Sequence, residues 1–373
     1  MLTETFDLQA RDLGLLAGGY FLGFAVTQLP LGNWLDRHGP RRVILGFLTL
    51  AVAGCLAFSV ADSFAALLAS RVLMGMGLSA CLMAPLTGYR RWFAPATLLR
   101  ANSWMLMTGS LGMLASTLPV HWLMPVTGWR ALFWGLAAML VVCMALIRWQ
   151  VPAWSALPSP VQASPDAASG YADIWRHPAF RRLVPMAFFN YGGLIAVQAL
   201  WAGPWMVRVA GYSPLQSATG LFCINASMLV AFWSWGMVNP WLNRHGWHAH
   251  RLLARGVPVS LAVLAANIVL GPSAGWPAWA LFCVACSVLG LSQPAVGMAF
   301  GVALAGRAMS AYNLVIFSGV FAVQWGIGLA IDGFLAAGLT EALSFRAAMA
   351  VFFCCSLASY GYFMRMNAHN STQ

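Results

Sequence analysis

One arginine stands inside a long apolar run. Arg71 lies within the run 64–88, in the sequence Arg71-Val-Leu-Met-Gly75-Met-Gly77. A charged side chain at the centre of a membrane-spanning helix costs roughly 2.5–3.5 kcal/mol on insertion scales, so it should face a water-filled cavity or an anionic partner. Its planar guanidinium suits bidentate binding of a carboxylate or phosphate. We therefore predict that Arg71 binds the charge of an anionic substrate. The alternative is a structural arginine bonded to backbone carbonyls.

A charged motif occurs twice. Trp34-Leu-Asp-Arg-His-Gly39 recurs 207 positions later (241 − 34) as Trp241-Leu-Asn-Arg-His-Gly246, again directly after an apolar run. We interpret 32–44 as a charged loop whose carboxylate could meet an arginine fork and a helix N-terminus. Such contacts could form a latch that breaks as two halves of the molecule rock; alternatively, the arginines only anchor topology. Asparagine replaces aspartate in the second copy, which predicts a weaker latch there. The candidate residues are Gly32, Asp36, Arg37, Gly39, Arg41, Arg42, Asn243 and Arg244.

Amide and aromatic side chains inside the apolar runs form a third set. They could line a cavity for a partly apolar substrate near the middle of the membrane. The alternative is that they form inter-helix hydrogen bonds, worth about 0.6 kcal/mol each. The candidates are Gln28, Trp104, Thr108, Asn190, Gln198, Trp201, Asn225, Gln293, Asn313 and Gln324.

Other chemistry is not indicated. The sequence has no glutamate inside an apolar run, and Asp332 is the only acidic residue near one. A cation without a carboxylate favours an organic anion as the substrate.

Cys283-Val-Ala-Cys286 has metal-ligand spacing but no nearby histidine, so we interpret it as helix packing. We expect no enzyme activity, metal or cofactor, because the sequence lacks a phosphate-binding loop and a catalytic Ser–His–Asp pattern.

The composition defines the environment of these residues. Of 373 residues, 61% are hydrophobic and 8% are charged, against roughly 25% charged in soluble domains. The net charge of +11 does not indicate nucleic acid binding, because the arginines lie singly or in small groups between apolar runs. The sequence therefore predicts a membrane protein.

Eleven apolar runs approach the length of about 20 residues that a membrane-crossing helix needs. They are continuous rather than alternating, which predicts helices and not a barrel. The runs are 13–34, 43–61, 64–88, 102–121, 130–148, 184–206, 215–238, 252–271, 276–300, 310–332 and 345–364.

The arginines predict orientation. Fifteen lie on one side of these runs and four on the other, so the arginine-rich side should be cytoplasmic and the N-terminus outside. A Pro-, Ala- and Ser-rich connection at 149–183 ends in a predicted short interfacial helix, Tyr171-Ala-Asp-Ile-Trp-Arg-His-Pro178. We predict an N-terminal bundle (1–148), a cytoplasmic linker (149–183), a C-terminal bundle (184–366) and a cytoplasmic tail (367–373).

The motifs resemble those of the major facilitator superfamily. Its loop after the second helix has Gly, three residues, Asp-Arg, any residue, Gly and basic residues, which here are Gly32, Asp36, Arg37, Gly39 and, after Pro40, Arg41. Arg71 followed by Gly75-Met-Gly77 resembles the motif of the fourth helix, and this resemblance implies a role for Arg71 in proton or substrate coupling. The resemblance covers essentially the whole chain. It implies an all-α, two-bundle transporter fold of twelve helices in which the Asp36 loop gates the inner side.

The resemblance also implies a first helix that precedes this pattern. Residues 1–13 resemble the external loop between the first two helices, so we expect about eleven spans and a misplaced start codon or a truncated gene.

These observations together predict a secondary transporter in the cytoplasmic membrane of a bacterium. It would move a small organic solute, such as an organic anion, by alternating access, with a coupling proton or ion. The expected partners are the substrate and the lipid bilayer, with no nucleic acid, and we expect a monomer. A non-transporting sensor on the same fold and an inactive truncated carrier are the alternatives.

Overall fold

The computed structural model describes residues 5–93, 95–153, 167–300 and 302–370. All regular secondary structure in these residues is helical, as the continuous apolar runs predict, because a helix satisfies its backbone polar groups internally. The N-terminal helices are α1 (Ala10–Val26), α2 (Gln28–Ser59), α3 (Phe64–Leu78), α4 (Ala80–Trp92), α5 (Pro95–Ala115) and α6 (Leu118–Gln150). The C-terminal helices are α7 (Ala167–Arg176), α8 (Pro178–Arg208), α9 (Pro214–Arg244), α10 (Ala249–Leu270), α11 (Trp276–Ala299), α12 (Val302–Ala336) and α13 (Glu341–Asn370).

Nine helices among the described residues are long and apolar enough to cross a membrane. A tenth span results if α1 and the start of α2, which bend by 42° at their junction, are counted together. The remaining predicted span, 102–121, differs from the structure, because α5 runs from Pro95 to Ala115 and is not among these spans. Arg100, Asn102 and Ser103 lower its mean hydropathy. The all-helical, multi-pass membrane fold is confirmed.

The repeated motif is helical rather than a loop, which corrects the prediction for 32–44. α2 continues through the first copy and breaks at Gly39, whose φ of 76° and ψ of 161° place Pro40 at the start of a new helical segment. In the second copy α9 ends at Arg244, and Gly246 has a φ of 78°. Both glycines occupy a backbone region that is costly for other residues.

Two turns of π-helix interrupt α8. They cover Ala187–Tyr191 and Val197–Trp201 and contain the candidates Asn190 and Gln198. A π-turn adds a residue to the helical turn and so changes which side chains share a face. Regular α-helical spacing therefore does not describe which polar side chains of α8 share a face.

The buried apolar side chains fall into separate clusters. The largest draws only on residues 174–363, whereas two smaller clusters draw on 16–137. Helix α7, where the sequence predicts a short helix, contributes the fully buried Ile174 to the largest cluster. Its Tyr171 hydroxyl donates a hydrogen bond to the carbonyl oxygen of Leu29 at 3.3 Å. Burial raises the pKa of the Tyr171 phenol, which keeps the phenol protonated as the donor.

Candidate functional site

Helices α1 and α12 run antiparallel in close contact. At one end, which we call the arginine-poor end, the carboxylate of Asp332 accepts hydrogen bonds from the backbone N–H groups of Ala10 (3.2 Å) and Arg11 (2.9 Å). These are the first two residues of α1, whose N–H groups have no partner within the helix. The Asp332 carboxylate therefore caps α1 and lies at the positive end of its dipole.

Glycines permit this close contact. A Cβ added to Gly14 would lie 2.5 Å from the carbonyl oxygen of Gln324, and one added to Gly18 would lie 3.0 Å from the Phe321 ring. A Cβ on Gly328 would meet the carbonyl oxygen of Ala10. The backbones of α1 and α12 therefore touch at this end with no room for a larger side chain.

Aromatic and amide side chains follow further along the same contact. The rings of Phe24 and Phe317 lie 4.2 Å apart. Gln28, which is 1% exposed, donates to the carbonyl of Phe24 at 3.3 Å, and its Oε1 atom has no hydrogen-bond partner. Gln324 is fully buried, and neither its Oε1 nor its Nε2 has a partner. Buried amide atoms normally find partners, so these two side chains have the capacity to bind a polar group.

Six of the cavity candidates form three contacts. Gln198 donates to Asn225 at 2.8 Å, and Gln293 donates to Asn313 at 2.5 Å. The Trp201 indole N–H donates to the backbone carbonyl of Gln324 at 3.1 Å. Two of these bonds join consecutive helices, α8 to α9 and α11 to α12, and the third joins α8 to α12. The inter-helix hydrogen-bond interpretation describes them directly, whereas the proposed cavity role of these residues stays a prediction.

The remaining three cavity candidates lie apart from these contacts. Asn190 donates to the carbonyl oxygen of Ser356 at 3.2 Å and to the hydroxyl of Ser359 at 2.5 Å, both on α13. Trp104 is 59% exposed, and the exposed Thr108 bonds to the carbonyl of Trp104 on its own helix. The structure therefore does not bring these residues to the α1–α12 contact.

Arg71 lies between aromatic rings. Its Cζ atom is 5.0 Å from the centroid of the Phe58 ring and 5.7 Å from that of the Phe133 ring. Its Nε is buried without a hydrogen-bond partner. The alternative for Arg71, a structural role, would need hydrogen bonds from its guanidinium to backbone carbonyls. Arg130 shows what such a role looks like, because it donates to the carbonyls of Ser59 and Ala61. The Nε of Arg71 is therefore a buried donor that is not used by the described residues.

The motif residues of the first copy surround the break in α2. Gly32 faces α12, with the Ser310 hydroxyl 3.9 Å from the position of an added Cβ. Arg37 and Arg42 are exposed, and Arg41 donates to the backbone carbonyl of Arg148 at 2.7 Å. The side chain of Asp36 lies outside the described residues, so its role as a latch stays a prediction.

Asn243 and Gly246 of the second copy make short-range contacts. Asn243 donates to Asn239 at 3.5 Å within the same helix, and Arg251 donates to the carbonyl of Gly246 at 3.1 Å. Arg244 is exposed. No described partner of Asn243 therefore lies on another helix, in contrast to the Arg41–Arg148 bond of the first copy.

A cavity of about 680 Å³ opens at the arginine-poor end. An ion pair on its wall joins Arg208 to Glu341 at 3.5 Å. The cavity is lined by residues from the start of α1, the ends of α8 and α12 and the start of α13, which include Leu13, Trp201, Arg208, Asp332, Glu341 and Phe345.

The sequence did not identify Asp332 as a functional residue. It indicated only that an acidic residue ends an apolar run. Its partners are 322 and 321 positions away, so only the packing of α1 on α12 reveals the cap. One signal could have suggested the cap. An aspartate stands at the end of an apolar run, and a carboxylate there is favoured next to the N-terminus of another helix.

The fold is that of a polytopic membrane protein whose N-terminal and C-terminal helices meet at polar groups. The family model of the Major Facilitator Superfamily matches residues 1–324. The chain belongs to this family, which confirms the resemblance seen in its motifs.

Relatives carry transporter names. The chain is 30% identical over 145 residues to the inner membrane transport protein YajR of Escherichia coli, which covers 38% of this chain and 30% of that protein. It is 26% identical over 251 residues to the 3-(3-hydroxy-phenyl)propionate transporter of E. coli, and the match covers 60% of this chain and 58% of that protein. It is 24% identical over 324 residues to probable anion transporter 1, chloroplastic, of Oryza sativa, and the match covers 77% of this chain and 57% of that protein. The chain thus spans from under a third to under three fifths of the length of these relatives.

A solved structure has the same fold. A bacterial homologue of the human lysosomal transporter Spinster, in an inward-facing and unoccupied conformation, aligns with a TM-score of 0.76 at 17% identity. The alignment covers 98% of this chain and 91% of that one.

Proposed function

We propose that the chain is a secondary transporter that moves a small organic anion across the cytoplasmic membrane by alternating access. The observation that carries the proposal is the α1–α12 contact. It is closed at the arginine-poor end by the Asp332 cap. Buried amide atoms without a hydrogen-bond partner belong to Gln324 on α12 (Oε1 and Nε2) and to Gln28 just after α1 (Oε1). Contacts between two packed groups of helices are where alternating access opens and closes a pathway.

Two features favour an organic anion. Arg71 offers an unpaired buried Nε between aromatic rings, and a guanidinium binds carboxylates well. The relatives include one named for 3-(3-hydroxy-phenyl)propionate, an aromatic carboxylate, and one named for anions. An aromatic carboxylate would suit the phenylalanines that line the α1–α12 contact.

Uptake into proteoliposomes tests the proposal. The purified chain would be supplied with labelled 3-(3-hydroxyphenyl)propionate as the probe, and with its neutral amide as the comparison. We expect saturable uptake of the acid and at least tenfold less of the amide. Uptake that increases with an imposed inward proton gradient would support proton coupling.

Arg71→Ala should abolish uptake while the protein still inserts and folds. Arg365→Ala, at an exposed arginine outside the site, is the matched control and should transport normally. Undiminished uptake by Arg71→Ala would remove Arg71 from the site. Saturable binding without flux would favour the sensor, and neither binding nor flux of any anion in a panel of carboxylates would favour an inactive carrier.

A further inference from the structure

Two adjoining cavities lie beside the break in α2, at the arginine-rich end. The first, about 420 Å³, is lined by Arg41, Arg42, Leu45, Arg148 and Ala153. The second, about 460 Å³, has a lining that includes Trp34, Arg42, Val43, Phe47, Leu50 and Met76. Arg42 belongs to both linings, so a single ligand could occupy both cavities.

The first cavity is strongly basic. Three of the five described residues that line it are arginines, and none of these five is acidic. The bond from Arg41 to the backbone carbonyl of Arg148 fixes the α2–α6 distance there. Arg42 is exposed and forms no hydrogen bond or ion pair with a described residue. Three positive charges with unused donors form a site for a phosphate group.

The helix geometry adds to this charge. The break at Gly39 makes Pro40 the first residue of a helical segment that continues to Ser59. Arg41 and Arg42 therefore lie in its first turn, at the positive end of the segment's dipole, where an anion is favoured and a cation is not. A bound anion would relieve the repulsion between these arginines and the helix end.

The second cavity is mainly apolar, and so is the surface of α6 beside the first cavity. Aromatic and aliphatic side chains dominate the second cavity. On α6, close to Arg148, the side chain of Trp149 is 80% exposed and that of Leu146 is 50% exposed. In a membrane-spanning helix such residues face the bilayer, and tryptophan favours its interface. A soluble anion would leave the apolar cavity unused, whereas a lipid would fill both.

We propose that these cavities bind an anionic membrane lipid, with its phosphate among Arg41, Arg42 and Arg148 and one acyl chain against Trp34, Phe47 and Leu50. Basic pockets between helices on the cytoplasmic side of membrane proteins are suited to such headgroups. The site is separate from the α1–α12 contact and does not depend on what the chain transports.

Native mass spectrometry of the full chain in detergent tests this proposal. The probes are dioleoylphosphatidylglycerol, dioleoylphosphatidylcholine, glycerol 3-phosphate and inorganic phosphate. We expect the anionic lipid to bind at least tenfold more tightly than the zwitterionic lipid, and neither of the two soluble phosphates at millimolar concentration to displace it.

A pair of double variants with equal charge separates the site from general attraction. Arg41→Gln with Arg42→Gln should weaken binding of the anionic lipid about tenfold or more. Arg181→Gln with Arg365→Gln, at exposed arginines outside both cavities, should change it less than twofold. Equal losses in the two double variants, or displacement of the lipid by inorganic phosphate, would overturn the proposal. Retention of the circular dichroism spectrum by each variant excludes misfolding as the cause.

Discussion

The Asp332 cap predicts how the α1–α12 contact opens. In Asp332→Ala the N–H groups of Ala10 and Arg11 lose their acceptor. Loss of a cap costs about 0.5–2 kcal/mol, and loss of the charge at the helix end about 0.3–1 kcal/mol. The carboxylate is only 17% exposed, so we take about 2 kcal/mol as the free energy that the substitution costs the closed state. In the open state water reaches the end of α1, so the substitution costs this state much less free energy. Since about 1.4 kcal/mol corresponds to a factor of ten, the ratio of open to closed molecules should rise about 30-fold.

Pulsed electron paramagnetic resonance measures this ratio. Nitroxide labels would be attached to cysteines introduced at the exposed positions Asp7 and Ala337, after replacement of the exposed Cys143 and Cys354. Asp332→Ala should increase the population with the longer distance between the labels.

Glu341→Ala is the matched control. It removes a carboxylate from the same cavity, but its partner Arg208 also belongs to the C-terminal helices, and both side chains are about half exposed. Such exposed pairs contribute about 0–1 kcal/mol, and this one does not join α1 to α12. An unchanged distance distribution in Asp332→Ala, or an equal change in Glu341→Ala, would refute the reasoning.

Three further predictions concern packing and backbone geometry. Gly14→Ala should cost about 1–3 kcal/mol by overpacking and favour the longer label distance, whereas Gly333→Ala, which has open space around its Cβ position, should leave that distance unchanged. Gly39→Ala should lower the thermal unfolding midpoint, because its φ of 76° costs other residues about 1–2 kcal/mol; Gly246→Ala should do the same, and no shift in either would contradict the backbone argument. Trp201→Phe should destabilise the protein by about 1 kcal/mol in a denaturant titration, through loss of one buried hydrogen bond; an unchanged midpoint would show that this bond contributes nothing.

The sequence by itself determined the helical membrane fold. Lipid offers no hydrogen bonds to the backbone, so long apolar runs have to form helices that satisfy their own polar groups. The duplicated motif was also visible, and both copies contain a glycine with a φ near +77°. The exact ends of helices were less predictable: α2 continues to the break at Gly39 through residues that look like a charged loop, because its i to i−4 hydrogen bonds do not require apolar side chains.

Only the tertiary structure decided which polar groups meet. The pairing of Gln198 with Asn225 and of Gln293 with Asn313, and the aromatic surroundings of Arg71, join different helices. The cap that Asp332 places on α1 joins residues 322 positions apart. Hydropathy identifies the residues that lie within a span. The register in which two helices pack, which here depends on glycines such as Gly14 and Gly328, decides which atom lies opposite which. That register is a property of pairs of helices, and a single apolar run does not encode it.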